Sequence, residues 1–301
     1  MIGFMPSFDV LSQGYPFLEA IYSHLKICDD IYILDASKDA TLKILRTFKN
    51  KRIHVYHTKL ESTYSKNGEI IKDMSNKLLK IIKNGKTGKN YIFYFQANEI
   101  IHENSYKFLS KILDRYPNYN SYLLYYYELF GRYLFGEQFR LRLVKLTNST
   151  RVIGDGWALN NSIVDINYIK SVAHNYIESI KAKQLCDCFY TIYNRYRFIY
   201  SPNPVYRYSR IFPYNTILKL KTHKKVFNQS YFSKLKLPNK YKSADEFFKE
   251  LCKSESIEAK KWRREFPECQ KIGHHPKIMQ EILDKPRYYV RDYIIDLINN
   301  L

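Results

Sequence analysis

Four short apolar runs, each followed by a segment with helical spacing or a sharp polar break, dominate the first third of the chain. They are Ile2 to Phe8, Ile31 to Leu34, Ile53 to His57 and Tyr91 to Phe95. The segments between them place apolar residues on one helical face. Phe17, Ile21 and Leu25 follow Pro16; Leu42, Leu45 and Phe48 follow Asp39; Ile71, Met74, Leu78 and Ile82 precede the break at Asn84-Gly85. Wholly apolar strands alternating with amphipathic helices are buried on both faces. Right-handed crossovers then give a parallel sheet with helices on either side. The pattern changes after a helix expected over 105–116. Ser121 to Phe130 and Phe139 to Lys145 read as consecutive strands, with Arg140 and Arg142 alternating against Leu141 and Leu143. The expectation is an α/β fold whose mainly parallel sheet ends in a mixed part, with a mostly helical stretch from about residue 177 onward. Residues 1–215 are expected to form the main domain and 216–301 a basic helical extension packed on it.

Composition narrows the function classes. The 301 residues carry 49 Lys and Arg against 29 Asp and Glu, a net charge of +20. A field of that sign attracts anions of any kind, from small phosphates to nucleic acids and acidic membranes. Five cysteines at irregular spacing suggest neither a disulfide framework nor a zinc site, although Cys186-Asp-Cys188 is a close pair. With no secretory pattern at the N-terminus and no apolar run of membrane-spanning length, the expected location is cytoplasmic, peripheral to a membrane at most. Basic runs at 218–225 and 260–264 are the candidates for such contact.

Chemistry-bearing residues gather where the strands are expected to end. Asp9 follows the first strand, Asp35 and Asp39 the second, and Gln96-Ala-Asn-Glu99 the fourth. In open α/β sheets, ligands occupy the crevice beyond the carboxyl ends of the strands. Neither a G-x-x-x-x-G-K-[ST] loop nor a G-x-G-x-x-G turn is present, so P-loop and Rossmann dinucleotide sites are disfavoured. Each acidic residue also has a plainer role: Asp39 as a helix cap, Asp35 as a turn former, Glu99 as a complement to a helix dipole. Their recurrence at successive strand ends favours a nucleotide-diphosphate site lined by Gln96, Asn98 and Glu99.

The ordered motifs resemble a family 2 glycosyltransferase of the GT-A fold, in the subgroup whose fourth strand ends in a Gln-Ala-Asp-Glu box. The resemblance is carried by Tyr15 to Ser23, Asp29 to Thr41, Asn67-Gly68 with Ser75-Asn76, and Phe95 to Glu103. Further along, Phe139 to Lys145, Gly154-Asp-Gly156, Ala173 to Tyr176 and Gly273 to Met279 continue it. It implies inverting transfer of a sugar from a nucleotide-diphosphate sugar to a hydroxyl on a glycan, protein or lipid-linked acceptor. Asp155 is expected as general base, with Glu137 as the second candidate. Asp9, Asp35, Asp39, Gln96, Arg140 and Arg142 are expected around the nucleotide, and Asn98, Glu99 and His174 around a Mn2+ or Mg2+ ion. Asn98 stands where the family has an Asp. A neutral amide in place of a carboxylate weakens a hard-cation site. The rival readings are a catalytically degenerate binding protein of the same fold and a basic nucleic-acid-binding protein. Strand-end carboxylates repel a phosphate backbone, so nucleic acid is not the expected partner.

Overall fold

A computed structural model of the chain describes residues 1–60, 67–85, 88, 90–117, 119–153, 158–160, 191–192, 196–199, 204–218, 241–262 and 269–301. The first strands and helices alternate as expected: β1 (Ile2–Ser7), α1 (Phe17–Leu25), β2 (Asp30–Asp35), α2 (Thr41–Leu45), β3 (Ile53–His57), α3 (Asn67–Asn84) and β4 (Tyr91–Tyr94). These four strands pair in parallel in the order β3-β2-β1-β4. Every residue of β1 is buried, as a central parallel strand requires.

The sheet then turns mixed. After β5 (Glu99–Ile101), α4 (Tyr106–Ser110) and α5 (Ile112–Arg115) come β6 (Ser121–Phe130) and β7 (Tyr133–Lys145). β7 runs antiparallel to both β4 and β6, joining the parallel half to the remainder. A small antiparallel pair, β8 (Arg151–Ile153) with β9 (Ala158–Asn160), lies beside it. Later come β10 (Thr191–Ile192), β11 (Tyr196–Ile199) and β12 (Val205–Arg210), with β11 and β12 parallel to β6. The α/β class and the change from parallel to mixed pairing are therefore as the resemblance to the GT-A fold implies.

Two expectations are corrected. The stretch after residue 177 contributes strands among its described residues. Val205-Tyr-Arg-Tyr208 alternates with period two, and pairing on both edges satisfies its backbone. The cysteines are also not all unpaired: Cys252 on α6 (Ala244–Trp262) is bonded to Cys269, which leads into β13 (Gln270–Lys271). The bridge closes a 17-residue separation that sequence spacing alone does not reveal.

Apolar packing fixes the layers. Phe17, Leu18 and Ile21 of α1 are fully buried with Phe93 and Phe95 on one face of the sheet. On the other face Met74, Leu78 and Ile82 of α3 pack with Ile2, Phe4, Ile92 and Leu141. Each such side chain contributes about 1.5–3 kcal/mol by leaving water. Among the described residues, no helix is long and apolar enough to cross a membrane.

The C-terminal segment is tied to the first helix by a buried ion pair. After α7 (Lys277–Gln280) and before α8 (Asp292–Asn299), Arg291 reaches Glu19 of α1, which is fully buried. The Tyr288 hydroxyl donates to the same carboxylate at 3.1 Å. Burial pushes the Glu19 carboxyl up, against the pull of Arg291. Removing one partner strands the other charge. Arg291→Met should therefore cost about 3–5 kcal/mol in urea unfolding, and Glu19→Leu added to Arg291→Met should recover most of that loss.

Candidate active site at the carboxyl ends of the strands

The turns after β1 and β2 are laced together by their own polar side chains. Asp9 adopts a φ of +47°, a left-handed conformation that Asp tolerates better than most residues. Its N–H donates to Ser37 Oγ at 2.7 Å, and its carboxylate accepts from the N–H groups of Lys38 at 2.6 Å and Asp39 at 3.3 Å. Asp39 accepts from the Ser12 N–H at 2.8 Å and the Thr41 N–H at 2.9 Å, the latter opening α2. Asp35 is fully buried and accepts from the Ser37 hydroxyl and N–H at 2.6 and 3.1 Å. These three carboxylates shape the rim of the strand ends through backbone donors. Asp35 and Asp39 thus act as turn formers, while Ala40 occupies the N-cap position of α2.

Beyond β4 the chain builds a charged cluster. Glu99 on β5, Arg207 on β12 and Glu128 on β6 stand in one row across three paired strands. Glu99 is fully buried. Its Oε1 accepts from Arg142 Nη2 at 2.5 Å, and its Oε2 accepts from the Tyr126 hydroxyl and the Gln96 N–H, both at 3.3 Å. Burial alone would raise this carboxyl; Arg142, then Arg140 and Arg207, outweigh it and hold it below its ordinary value. Arg142 is itself fully buried, with its guanidinium 4.6 Å from the Tyr94 ring. The β6–β7 register skips Arg142 between Leu141 and Leu143, the signature of a bulge. A bulge re-aims the local side chains, and here the re-aimed residue carries the guanidinium that meets Glu99.

Glu128 is saturated as well. Its Oε1 accepts from Arg207 Nη1 at 2.6 Å and Ser209 Oγ at 2.7 Å, and its Oε2 accepts from Gln138 Nε2 at 2.8 Å. Against the upward push of burial, Arg207 and Arg140 bring this carboxyl down to about 2.

Arg140 is the exception. It lies within the cluster, 7% exposed, with Nη1 4.0 Å from Glu99 and Nη2 3.9 Å from Glu128. Both distances exceed hydrogen-bonding range. Its guanidinium makes no hydrogen bond to any described residue, and its Nε is buried without a partner. Burial, and then Arg207 and Arg142, pull Arg140 down to about 9. Among the described residues, the guanidinium groups of Arg140, Arg142 and Arg207 face the carboxylates of Glu99 and Glu128, one positive charge more than negative.

The structure thus brings Gln96, Glu99, Arg140 and Arg142 together, with the laced turns of Asp9, Asp35 and Asp39 at the neighbouring strand ends. Gln96 is half-buried; its amide donates to the Tyr94 hydroxyl at 3.4 Å and accepts from Arg207 at 3.5 Å. Asn98 is 4% exposed and turns its amide N–H toward the Tyr208 carbonyl at 3.2 Å. Glu137 accepts from the Tyr125 hydroxyl at 2.7 Å, and strand alternation sets it on the face of β7 opposite Gln138 and Arg140. Asp155 and His174 lie outside the described residues, as do Trp157 and the Cys186–Cys188 pair. Glu128, Arg207 and Ser209 were not anticipated. The available signals were an acid closing the apolar run of β6 and an Arg alternating with Tyr206 and Tyr208.

The divalent cation implied by the resemblance does not fit the described donors. A hard cation needs free carboxylate oxygens. Those of Glu99 are taken by Arg142 and Tyr126, and Asn98, whose amide N–H donates to Tyr208, offers only a neutral oxygen. Among the described residues, no group of three or more His, Cys, Asp or Glu side chains is placed to hold a metal.

No protein-family model matches the chain, and no curated protein matches its sequence. Among solved structures, the chain is similar to S. aureus TarS 1-349, at 13% identity over 88% of this chain and 73% of that one, with a TM-score of 0.42. The same protein in complex with UDP-GlcNAc matches at 13% identity over 86% and 67%, with a TM-score of 0.38. A putative glucose-1-phosphate thymidylyltransferase from Bacillus anthracis matches at 7% identity over 66% and 87%, with a TM-score of 0.33. These are loose, global likenesses, and the functional reading is built on the site itself.

Two outcomes follow from the cluster. Glu99→Gln leaves buried guanidinium charge uncompensated and should lower stability by about 3–5 kcal/mol in denaturant unfolding. Glu128 is ionised in the fold down to about pH 2, whereas its ordinary value is 4.5. Its stabilising contribution is therefore complete above pH 4.5 and disappears as the pH falls from there toward 2. Acid unfolding followed by circular dichroism should show Glu128→Gln losing less stability than the parent across that window.

Proposed function

We propose that the chain is a glycosyltransferase that takes its sugar from a nucleotide-diphosphate donor bound at the carboxyl ends of β1, β2 and β4. The observation that carries this reading is the surplus guanidinium charge beside the β4–β5 turn, where an anionic group would complete an otherwise unbalanced cluster. A diphosphate is the anion that suits the position, because the laced turns after β1 and β2 border the same strand ends.

In the proposed reaction, an acceptor hydroxyl attacks the anomeric carbon from the face opposite the diphosphate. The new carbon–oxygen bond forms as the sugar–phosphate bond breaks, and the configuration inverts. The hydroxyl proton passes to a carboxylate, for which Asp155 is the proposed base. Glu137 is the lesser candidate, since it is bonded to Tyr125 on the other face of β7. Positive charge near the leaving diphosphate lowers the barrier by stabilising the charge that develops there. The acceptor belongs to the class of glycan, protein or lipid-linked hydroxyls. The rival reading, an anion-binding protein of the same fold without transfer, draws on the full commitment of Glu99 to its arginines.

Thermal unfolding with UDP, GDP and TDP and their sugars tests the reading. At about a hundredfold excess over Kd, one of them should stabilise the fold by roughly 2.7 kcal/mol, a shift of a few degrees. No shift with any nucleotide would refute the proposal. Asp155→Asn should keep nucleotide binding and lose about a hundred- to ten-thousand-fold in transfer. Undiminished turnover would move the base elsewhere.

A further inference from the structure

We infer that this site neutralises its diphosphate with Arg140 and Arg207 and needs no divalent cation. The inference rests on the nucleotide-sugar reading and goes beyond it by naming the groups that bear the phosphate charge.

Three observations converge on it. First, among the described residues the carboxylates of the cluster, Glu99 and Glu128, are already spent. Freeing Glu99 Oε1 would require expelling the Arg142 guanidinium, which is fully buried and packed on Tyr94. Both oxygens of Glu128 accept charged or neutral donors, both of Asp39 accept backbone N–H groups, and Asp9 spends its Oδ1 on the N–H groups of Lys38 and Asp39. Asn98, at the position where the family carries its main ligand, brings no charge and is tied to the backbone of β12.

Second, the cluster holds an unsatisfied cation. Arg140 is more than nine-tenths buried, has no hydrogen bond to any described residue, and stands 3.9 and 4.0 Å from carboxylates that other groups occupy. Arg207 adds a buried Nε that makes no hydrogen bond and stands 3.9 Å from Glu99 Oε1. Burying a guanidinium without hydrogen bonds is costly even beside carboxylates, and an anion with two or more oxygens relieves that cost. Guanidinium groups suit phosphate oxygens because their planar N–H fork matches two acceptors at once.

Third, the cluster is open on one side. Arg207 and Glu128 are 21% and 22% exposed, whereas Glu99 and Arg142 are closed off. A diphosphate approaching past Gln96 and Arg207 meets the surplus charge without displacing the buried pair.

The test is calorimetric titration of UDP, GDP and TDP into the full chain, in millimolar EDTA and separately in Mn2+. The expected result is binding in EDTA with an affinity within about threefold of that in Mn2+. Arg140→Gln should weaken binding at least tenfold while leaving thermal stability unchanged or higher, because it removes a poorly compensated buried charge. Arg140→Lys should restore part of the affinity. A purely structural Arg140 would instead lose stability on substitution. The inference is overturned if nucleotide binds only with Mn2+, which leaves the nucleotide-sugar reading standing. It is also overturned if folded Arg140→Gln binds as the parent does. Should that variant fail to fold, the EDTA comparison on the parent chain decides. Binding in neither condition removes both this inference and the reading beneath it.

Discussion

Glu99 is buried to the last square ångström, and Arg142 meets it at 2.5 Å inside a layer of tyrosines. A buried pair of this kind contributes little net stability over an apolar equivalent, because removing both charges from water is expensive. Its effect is on which arrangement the chain adopts. The pair joins the turn after β4 to the bulge in β7, and Tyr126 of β6 completes it. Through the row Glu99, Arg207 and Glu128 it also fixes where β12 adds to the sheet. Slipping any of these strands by one residue would turn a charge into an apolar layer, so the register is strongly specified.

From that pair the character of the site follows. Once Arg142 compensates Glu99, and Arg207 with Ser209 and Gln138 saturates Glu128, Arg140 is left without a hydrogen bond among the described residues. Native cores seldom retain an unsatisfied buried guanidinium, and groups of that kind concentrate where a ligand will meet them. The rim supports the same conclusion from the other side. Asp39 spends both carboxylate oxygens, and Asp9 its Oδ1, ordering the two turns beside the strand ends, so their negative charge is partly absorbed by backbone donors before any ligand arrives.

Much of the scaffold was legible from the residues. Apolar runs such as Tyr91 to Phe95 cannot be anything but buried strands once Gly85 and Gly88 break the helix before them, and the parallel half follows from their alternation with helices. The strand beginning at Tyr133 was harder, since Gly136, Glu137 and Gln138 interrupt the alternation that is clear from Phe139 onward. The strands after residue 177 were hidden by their charge, with Arg197 and Arg207 set among tyrosines where a helix face was expected. At the site, the box around Asn98 and Glu99 marked the right turn, and Arg140 and Arg142 the right strand. Their partnerships were not legible, because Arg207 meets both Glu99 and Glu128 only through cross-strand register. The Cys252–Cys269 bridge was invisible for the same reason: proximity is a property of the folded chain.

An anionic diphosphate is proposed to complete the arginine cluster beyond β4. The most direct measurement is a crystal structure of the chain grown with UDP in the presence of EDTA. Diphosphate oxygens should lie within about 3 Å of guanidinium nitrogens of Arg140 or Arg207, with the Glu99–Arg142 pair intact. A diphosphate seated away from both arginines, or one that appears only with a cation bound to Glu99, would contradict it.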